Sequence, residues 1–220
     1  MGTAVTNVKM RWFCEDYSKP IWMIGDSYFS SKSSDRWPSY LVSAGYKNFM
    51  MMSHSGMKSE RGITEFKQAL QHGTPKYAVW CMGMNNGDSG TTVNAAYLAA
   101  TEEFLAICAE KGITPILSTI PSTPTVLNEP KNEWVRSWAK ETGGRYVDFS
   151  RAVSNETYDA SLIGKVVGNT SVTSEIVNKT GYQWYDKMLY SDVVHPAVLG
   201  AKALYMQFLV DFPEIMQENY

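Results

Sequence analysis

Apolar residues in this chain fall into two alternating patterns: short unbroken runs, and rows spaced three or four apart. Ile21-Trp22-Met23-Ile24 stops at Gly25-Asp26-Ser27. An apolar run of that length closed by turn residues predicts a strand buried on both faces. The same pattern recurs in residues 48–53, closing in His54-Ser55-Gly56, and in 77–82, closing in Gly83-Met84-Asn85-Asn86-Gly87. It returns in 114–120, with Pro115 at the start where a missing donor matters least, and in 145–149. Helical spacing fills the gaps. Residues 37–42 read as a short helix stopped by Gly45, and 59–71 carry Ile63, Phe66, Ala69 and Leu70 on one face with Gly73 as the stop. Residues 92–111 form the clearest helix, with Tyr97, Ala100, Phe104 and Ile107 in one row and Leu98, Leu105 and Cys108 in the next. A fourth helix is predicted over 132–140, ending at Gly143-Gly144. Five alternations of strand and helix predict a parallel sheet covered on both sides.

Residues 150–190 break the rhythm. β-Branched residues around Gly168-Asn169 predict a hairpin within 164–177, part of an inserted arm or lid. From Ala201 a last helix aligns Leu204, Tyr205, Phe208, Leu209 and Phe212, and Pro196 suits its first turn. The 220 residues fit one domain, 1–220, with a sizeable core.

Composition removes several function classes. A net charge of −2 gives no electrostatic case for nucleic acid or an anionic membrane, and no apolar run reaches membrane-span length. The first residues do not resemble a secretory leader. Secretion or export to a periplasm stays open, since a removed leader would leave the same chain. Cys14, Cys81 and Cys108 share no ligand-like spacing, and only three histidines occur, His54, His72 and His195. No metal and no cofactor is expected on that basis. Seven tryptophans and thirteen tyrosines fit an aromatic core and, secondarily, a stacking surface for sugars.

Open parallel sheets bind ligands just beyond the carboxyl ends of their strands. Ser27, Gly56 and Asn85 all fall there, after the first, second and third strands. Asp192-Val193-Val194-His195-Pro196 precedes the last helix and supplies a carboxylate three residues before an imidazole. Each feature has an ordinary counterpart: a turn serine, a loop glycine, a turn-capping asparagine, a helix-entry aspartate. His54 reads as a loop histidine, and Trp37, Trp184 and Tyr185 as packing residues.

Taken in order, Gly25-Asp26-Ser27-Tyr28, Gly56, Gly83-Met84-Asn85-Asn86 and Asp192-Val193-Val194-His195-Pro196 resemble the four blocks of the SGNH hydrolases, or GDSL-type esterases, across nearly the whole chain. The resemblance implies a flavodoxin-like three-layer α/β/α sandwich with a five-stranded parallel sheet of order 2-1-3-4-5. It further implies Ser27 as nucleophile, His195 as base and Asp192 as the residue that orients the imidazole. The oxyanion hole would comprise the N–H groups of Ser27 and Gly56 and the Asn85 amide. Two positions depart from the family pattern: Tyr28 stands where Leu is usual, with a role in shaping the acyl pocket expected, and Asn86 stands where Asp is usual. The expected substrate is a small acyl ester, foremost an O-acetyl group on a carbohydrate. A lipase or lysophospholipase taking longer chains, and a non-catalytic carbohydrate-binding module, are the alternatives.

Overall fold

A computed structural model describes residues 16–29, 36–123, 126–155, 172–177, 183–185, 189 and 194–217. In chain order the elements are β1 (Ile21–Gly25), α1 (Trp37–Ser43), β2 (Phe49–Ser53), α2 (Ser59–Ala69), β3 (Tyr77–Cys81), α3 (Ala95–Lys111), β4 (Thr114–Ser118) and α4 (Glu129–Thr142). They continue with β5 (Arg145–Val147), α5 (Phe149–Val153), β6 (Ser154–Asn155), β7 (Val172–Val177), β8 (Gln183–Tyr185), α6 (Val198–Asp211) and α7 (Glu214–Gln217). Strands β1 to β5 form one parallel sheet in the order 2-1-3-4-5.

Side-chain alternation along β1 divides the core into two layers. Ile21 and Met23 face α1, α5 and α6 through Trp37, Leu41, Phe149, Leu204 and Phe208. Trp22 and Ile24 face α2, α3 and α4 through Ile63, Phe66, Phe104 and Val135. Residues Ile21 to Ile24 are all completely buried, so each large side chain contributes roughly 1.5–3 kcal/mol of transfer free energy. In the second layer Trp80 stacks on Phe104 at 4.8 Å and donates its indole N–H to Thr101 Oγ1 at 3.0 Å. Trp37 is a core residue, packed against Phe29, Phe149 and Phe208.

Register decides what meets above the sheet. Gly25 pairs with Ser53 on one side and Cys81 on the other. Ser27, Gly56 and Asn85 therefore lie only two, three and four residues past one common level, on three adjacent strands.

Several expected boundaries move. The third helix begins at Ala95 rather than 92, because Asn94 caps it by accepting the N–H groups of Ala96 and Tyr97. Helix α4 begins at Glu129 rather than 132, with Pro130 in its first turn. Helix α6 begins at Val198, and Ala197 is its N-cap. Pro196 thus precedes the helix instead of opening it, since it forms a bridge with Leu189 in extended chain. The tip expected at Gly168-Asn169 lies outside the described residues. Within them, Val172–Val177 pairs antiparallel with Gln183–Tyr185, which also pairs with Ser154–Asn155 to give a small sheet of order β6-β8-β7.

Candidate active site

Strand β1 ends in a turn closed by the Phe29 N–H donating to Asp26 O at 3.0 Å. Asp26 Oδ1 accepts the Tyr28 N–H at 3.0 Å, the local bond that aspartate commonly makes in turns. Ser27 occupies the bend with 7% of its surface exposed. His195 reaches it from the bend before α6, and its Nε2 lies 3.0 Å from Ser27 Oγ. At that separation a neutral imidazole can take the hydroxyl proton as the oxygen attacks an electrophile.

Tyr28 follows Ser27 within the same turn. It is 4% exposed and its hydroxyl donates to the carbonyl of Val194, the residue before His195. Its ring centroid lies 6.0 Å from that of His195. The residue next to Ser27 is therefore bound to the residue next to His195. Asp192 lies outside the described residues.

Two of the oxyanion candidates, Gly56 and Asn85, lie in turns joined by one hydrogen bond. Gly56 sits in the turn His54–Met57, closed by the Met57 N–H donating to His54 O at 3.1 Å. Its φ of +72° is a conformation that glycine adopts without penalty. Asn85 sits in the turn Gly83–Asn86, closed by the Asn86 N–H donating to Gly83 O at 3.0 Å. The Asn85 amide donates to Met57 O at 3.0 Å, so the second and third blocks touch beside Gly56. An amide nitrogen carries two hydrogens, and this bond uses one.

The structural task that could have fallen to Asn85 belongs to its neighbour. Asn86 Oδ1 accepts the N–H and hydroxyl of Ser59 at 2.9 and 3.1 Å, covering the first turn of α2. Asn86 Nδ2 donates to Glu60 Oε2 at 2.9 Å. An aspartate there would accept from Ser59 but meet Glu60 as a like charge. The departure from the family pattern at Asn86 is matched by Glu60 opposite it.

Two buried ionisable groups sit under these turns. Burial pushes the Asp26 carboxyl up to about 7, against the opposing pull of the Tyr28 and Met84 N–H groups and the Lys131 charge. Burial likewise brings the Lys131 ammonium down to about 8, against the opposing effect of Asp88. Neither group stands out in the sequence as a site residue. Asp26 is part of a turn motif, and a lysine after Pro130 reads as solvated surface. Among the described residues, no group of three His, Cys, Asp or Glu side chains is arranged to hold a metal ion.

Beside the site, a groove of about 620 Å³ runs along the outer edge of β2. Tyr17, His54, Glu65, Gln68, Gln71 and His72 are among its walls, and Ser27 and His195 are not. Its near end is His54, half exposed, whose Nε2 lies 3.1 Å from Glu65 Oε2.

Comparison with known proteins shows the family and the fold. The family model described as GDSL-like lipase/acylhydrolase matches residues 23–203. No curated protein matches the chain. A lipolytic protein of the G-D-S-L family from Desulfitobacterium hafniense is similar at 16% identity, over 85% of this chain and 95% of its own, with a TM-score of 0.60. A psychrotrophic esterase from Pseudoalteromonas is similar at 12% identity, over 90% and 98%, with a TM-score of 0.59. A carbohydrate esterase from Talaromyces cellulolyticus is similar at 16% identity, over 90% and 97%, also at 0.59.

Proposed function

Because the chain belongs to the GDSL-like lipase/acylhydrolase family, we propose that it hydrolyses short-chain acyl esters, foremost O-acetyl groups on a carbohydrate. The observation that carries the reading is the 3.0 Å approach of Ser27 Oγ to His195 Nε2. Ser27 Oγ attacks the ester carbonyl carbon as its proton passes to His195 Nε2. The carbonyl oxygen becomes an oxyanion, held by the N–H groups of Ser27 and Gly56 and the second N–H of Asn85. Collapse breaks the ester C–O bond, and the leaving alkoxide takes the proton from His195. Water then attacks the acyl-serine with His195 as base, releasing the acid and restoring Ser27. Asp192 orients the imidazole and stabilises its charged form.

The carbohydrate preference rests on the groove along β2. Its walls combine an aromatic ring at Tyr17 with amides, imidazoles and a carboxylate, and sugars are held by stacking and by many hydrogen bonds. The fold is shared with a carbohydrate esterase. A small leaving sugar seated at its His54 end would lie two residues from Gly56.

Initial rates on acetyl, butyryl and octanoyl esters, beside acetate release from acetylated xylan, test the reading. Acetyl esters are expected to react fastest, and xylan to lose acetate. A preference for octanoyl esters would replace the carbohydrate reading with a lipase. A serine-directed phosphonate should add one label per chain, lost in Ser27→Ala; label on another serine would overturn the site.

A further inference from the structure

Lys131 occupies a place where a lysine is costly. Its side chain is 1% exposed, and an ammonium is strongly hydrated in water. All three of its donors are used: Nζ reaches Gly83 O at 2.8 Å, Asn86 O at 2.6 Å and Asn128 Oδ1 at 2.8 Å. The Asp88 carboxylate, fully buried, lies 3.6 Å away, and the Tyr97 ring faces the charge at 5.2 Å.

The acceptors are informative. Gly83 and Asn86 are the two corners of the turn whose central residues are Met84 and Asn85. One ammonium therefore holds both corner carbonyls and ties them to Asn128, at the start of α4. Next to the turn, the Asp26 carboxylate, in the residue before Ser27, lies close enough to feel the Lys131 charge. The turn also rests directly on the lysine stem. A Cβ added at Gly83 would lie 3.1 Å from Lys131 Cδ and from the Tyr97 ring, at a φ of +132°. A guanidinium donates in a planar fork, whereas an ammonium radiates three donors from one point, as this convergence of carbonyls requires.

We propose that Lys131 is a positioning residue for ester hydrolysis, locking the Gly83–Asn86 turn so that the Asn85 amide stays aimed at the oxyanion. The inference rests on the reading of Asn85 as an oxyanion donor. Such a donor helps only where the developing charge appears, so a turn free to shift loses the benefit without losing substrate binding.

The test is Lys131→Met in the full chain, which keeps the stem and removes the ammonium. Displacing a catalytic group by about 1 Å costs up to about 100-fold, so kcat on an acetyl ester should fall roughly 10- to 100-fold with KM little changed. Phosphonylation of Ser27 should slow in parallel, because its transition state also places negative charge in the hole. The double variant decides between positioning and a merely structural role. In an Asn85→Ala background, Lys131→Met should cost less than about twofold more in kcat, since the donor it aims is gone. A folded Lys131→Met enzyme with wild-type kcat, or losses that multiply in the double variant, would overturn the proposal. If Lys131→Met does not fold, Asn128→Ala removes one of the three acceptors. Slower turnover and phosphonylation in that variant support the proposal, and unchanged rates overturn it. Asn85→Ala measured alone separates the two readings: near wild-type kcat there removes Asn85 from the oxyanion hole. A large loss there with an unaffected Lys131→Met removes only the role of Lys131.

Discussion

Tyr28 joins the nucleophile turn to the histidine by one hydroxyl. Its O–H donates to Val194 O, so the backbone just before His195 is fixed from the residue just after Ser27. Tyr28→Phe keeps the buried ring and removes only that bond. Its loss should lower stability by about 1 kcal/mol and leave Val194 O to other partners. The kinetic effect should be a several-fold fall in kcat with KM little changed, because proton transfer depends on the aim of the imidazole more than substrate binding does. Steady-state kinetics and thermal unfolding of the two proteins check both halves. Unchanged kcat in the less stable variant would make the bond purely structural. At this scale the chemistry of the sequence was legible in the small residues and much less so in the large ones. Ser27, Gly56 and Asn85 each read as an ordinary turn residue alone and stand out together, as blocks in a set order. Lys131 does not, since a lysine reads as surface, and Tyr28 reads only as a departure expected to shape the acyl pocket.

The first turn of α4 shows why element boundaries were harder to read than the elements themselves. Glu129, Lys131 and Asn132 are buried there, as completely as the apolar Val135 that follows. A search for apolar periodicity starts the helix too late, because this turn is buried through hydrogen bonds and not through hydrocarbon. The strands posed no such difficulty. Burial on both faces turns β1 and β3 into unbroken apolar runs, which no solvated element imitates. The buried polar turn also gives the protein a pH signature. Asp26, at the end of β1, has its carboxyl raised from 3.8 to about 7, and Lys131 and Arg36 are the cations that oppose the rise. A raised carboxyl means that the native state binds more protons than the unfolded chain between about pH 4 and 7. The stability this group contributes is fully present below pH 3.8 and is lost as pH rises towards 7. The slope is at most about 1.4 kcal/mol per pH unit. Asp26→Asn removes the titration and leaves an oxygen to accept the Tyr28 N–H. Urea unfolding at pH 4, 5.5 and 7 should therefore show the variant gaining on the wild type as pH rises. A stability difference constant across that range would mean that Asp26 is not held as a neutral acid.

Across the whole molecule, the sheet order puts the groove on the strand next to the one that leads to Ser27. Strand β1 lies between β2 and β3 and leads into the Ser27 turn, whereas β2 is an edge strand and borders the groove. A polymeric substrate lying along β2 would present one acyl group at the His54 end while its remaining sugars contact Gln68, Gln71 and His72. The sequence could not show this groove, because its walls come from Tyr17, β2 and α2, and only the fold brings them together. Its use has a kinetic consequence that the catalytic residues do not share. Contacts to a distant part of the substrate are lost with the substrate's distant part, so they matter for xylan and not for a small acetyl ester. Gln68 and Gln71 are exposed and can be replaced with little effect on stability. In the double variant Gln68→Ala/Gln71→Ala, kcat/KM for acetylated xylan should fall roughly 10-fold, the worth of one or two hydrogen bonds. For p-nitrophenyl acetate, which ends at the leaving group, kcat/KM should stay within twofold. Equal losses on both substrates would trace to the catalytic centre. Undiminished xylan hydrolysis would mean that the glycan chain leaves the site in another direction and that the groove along β2 serves no part of the substrate.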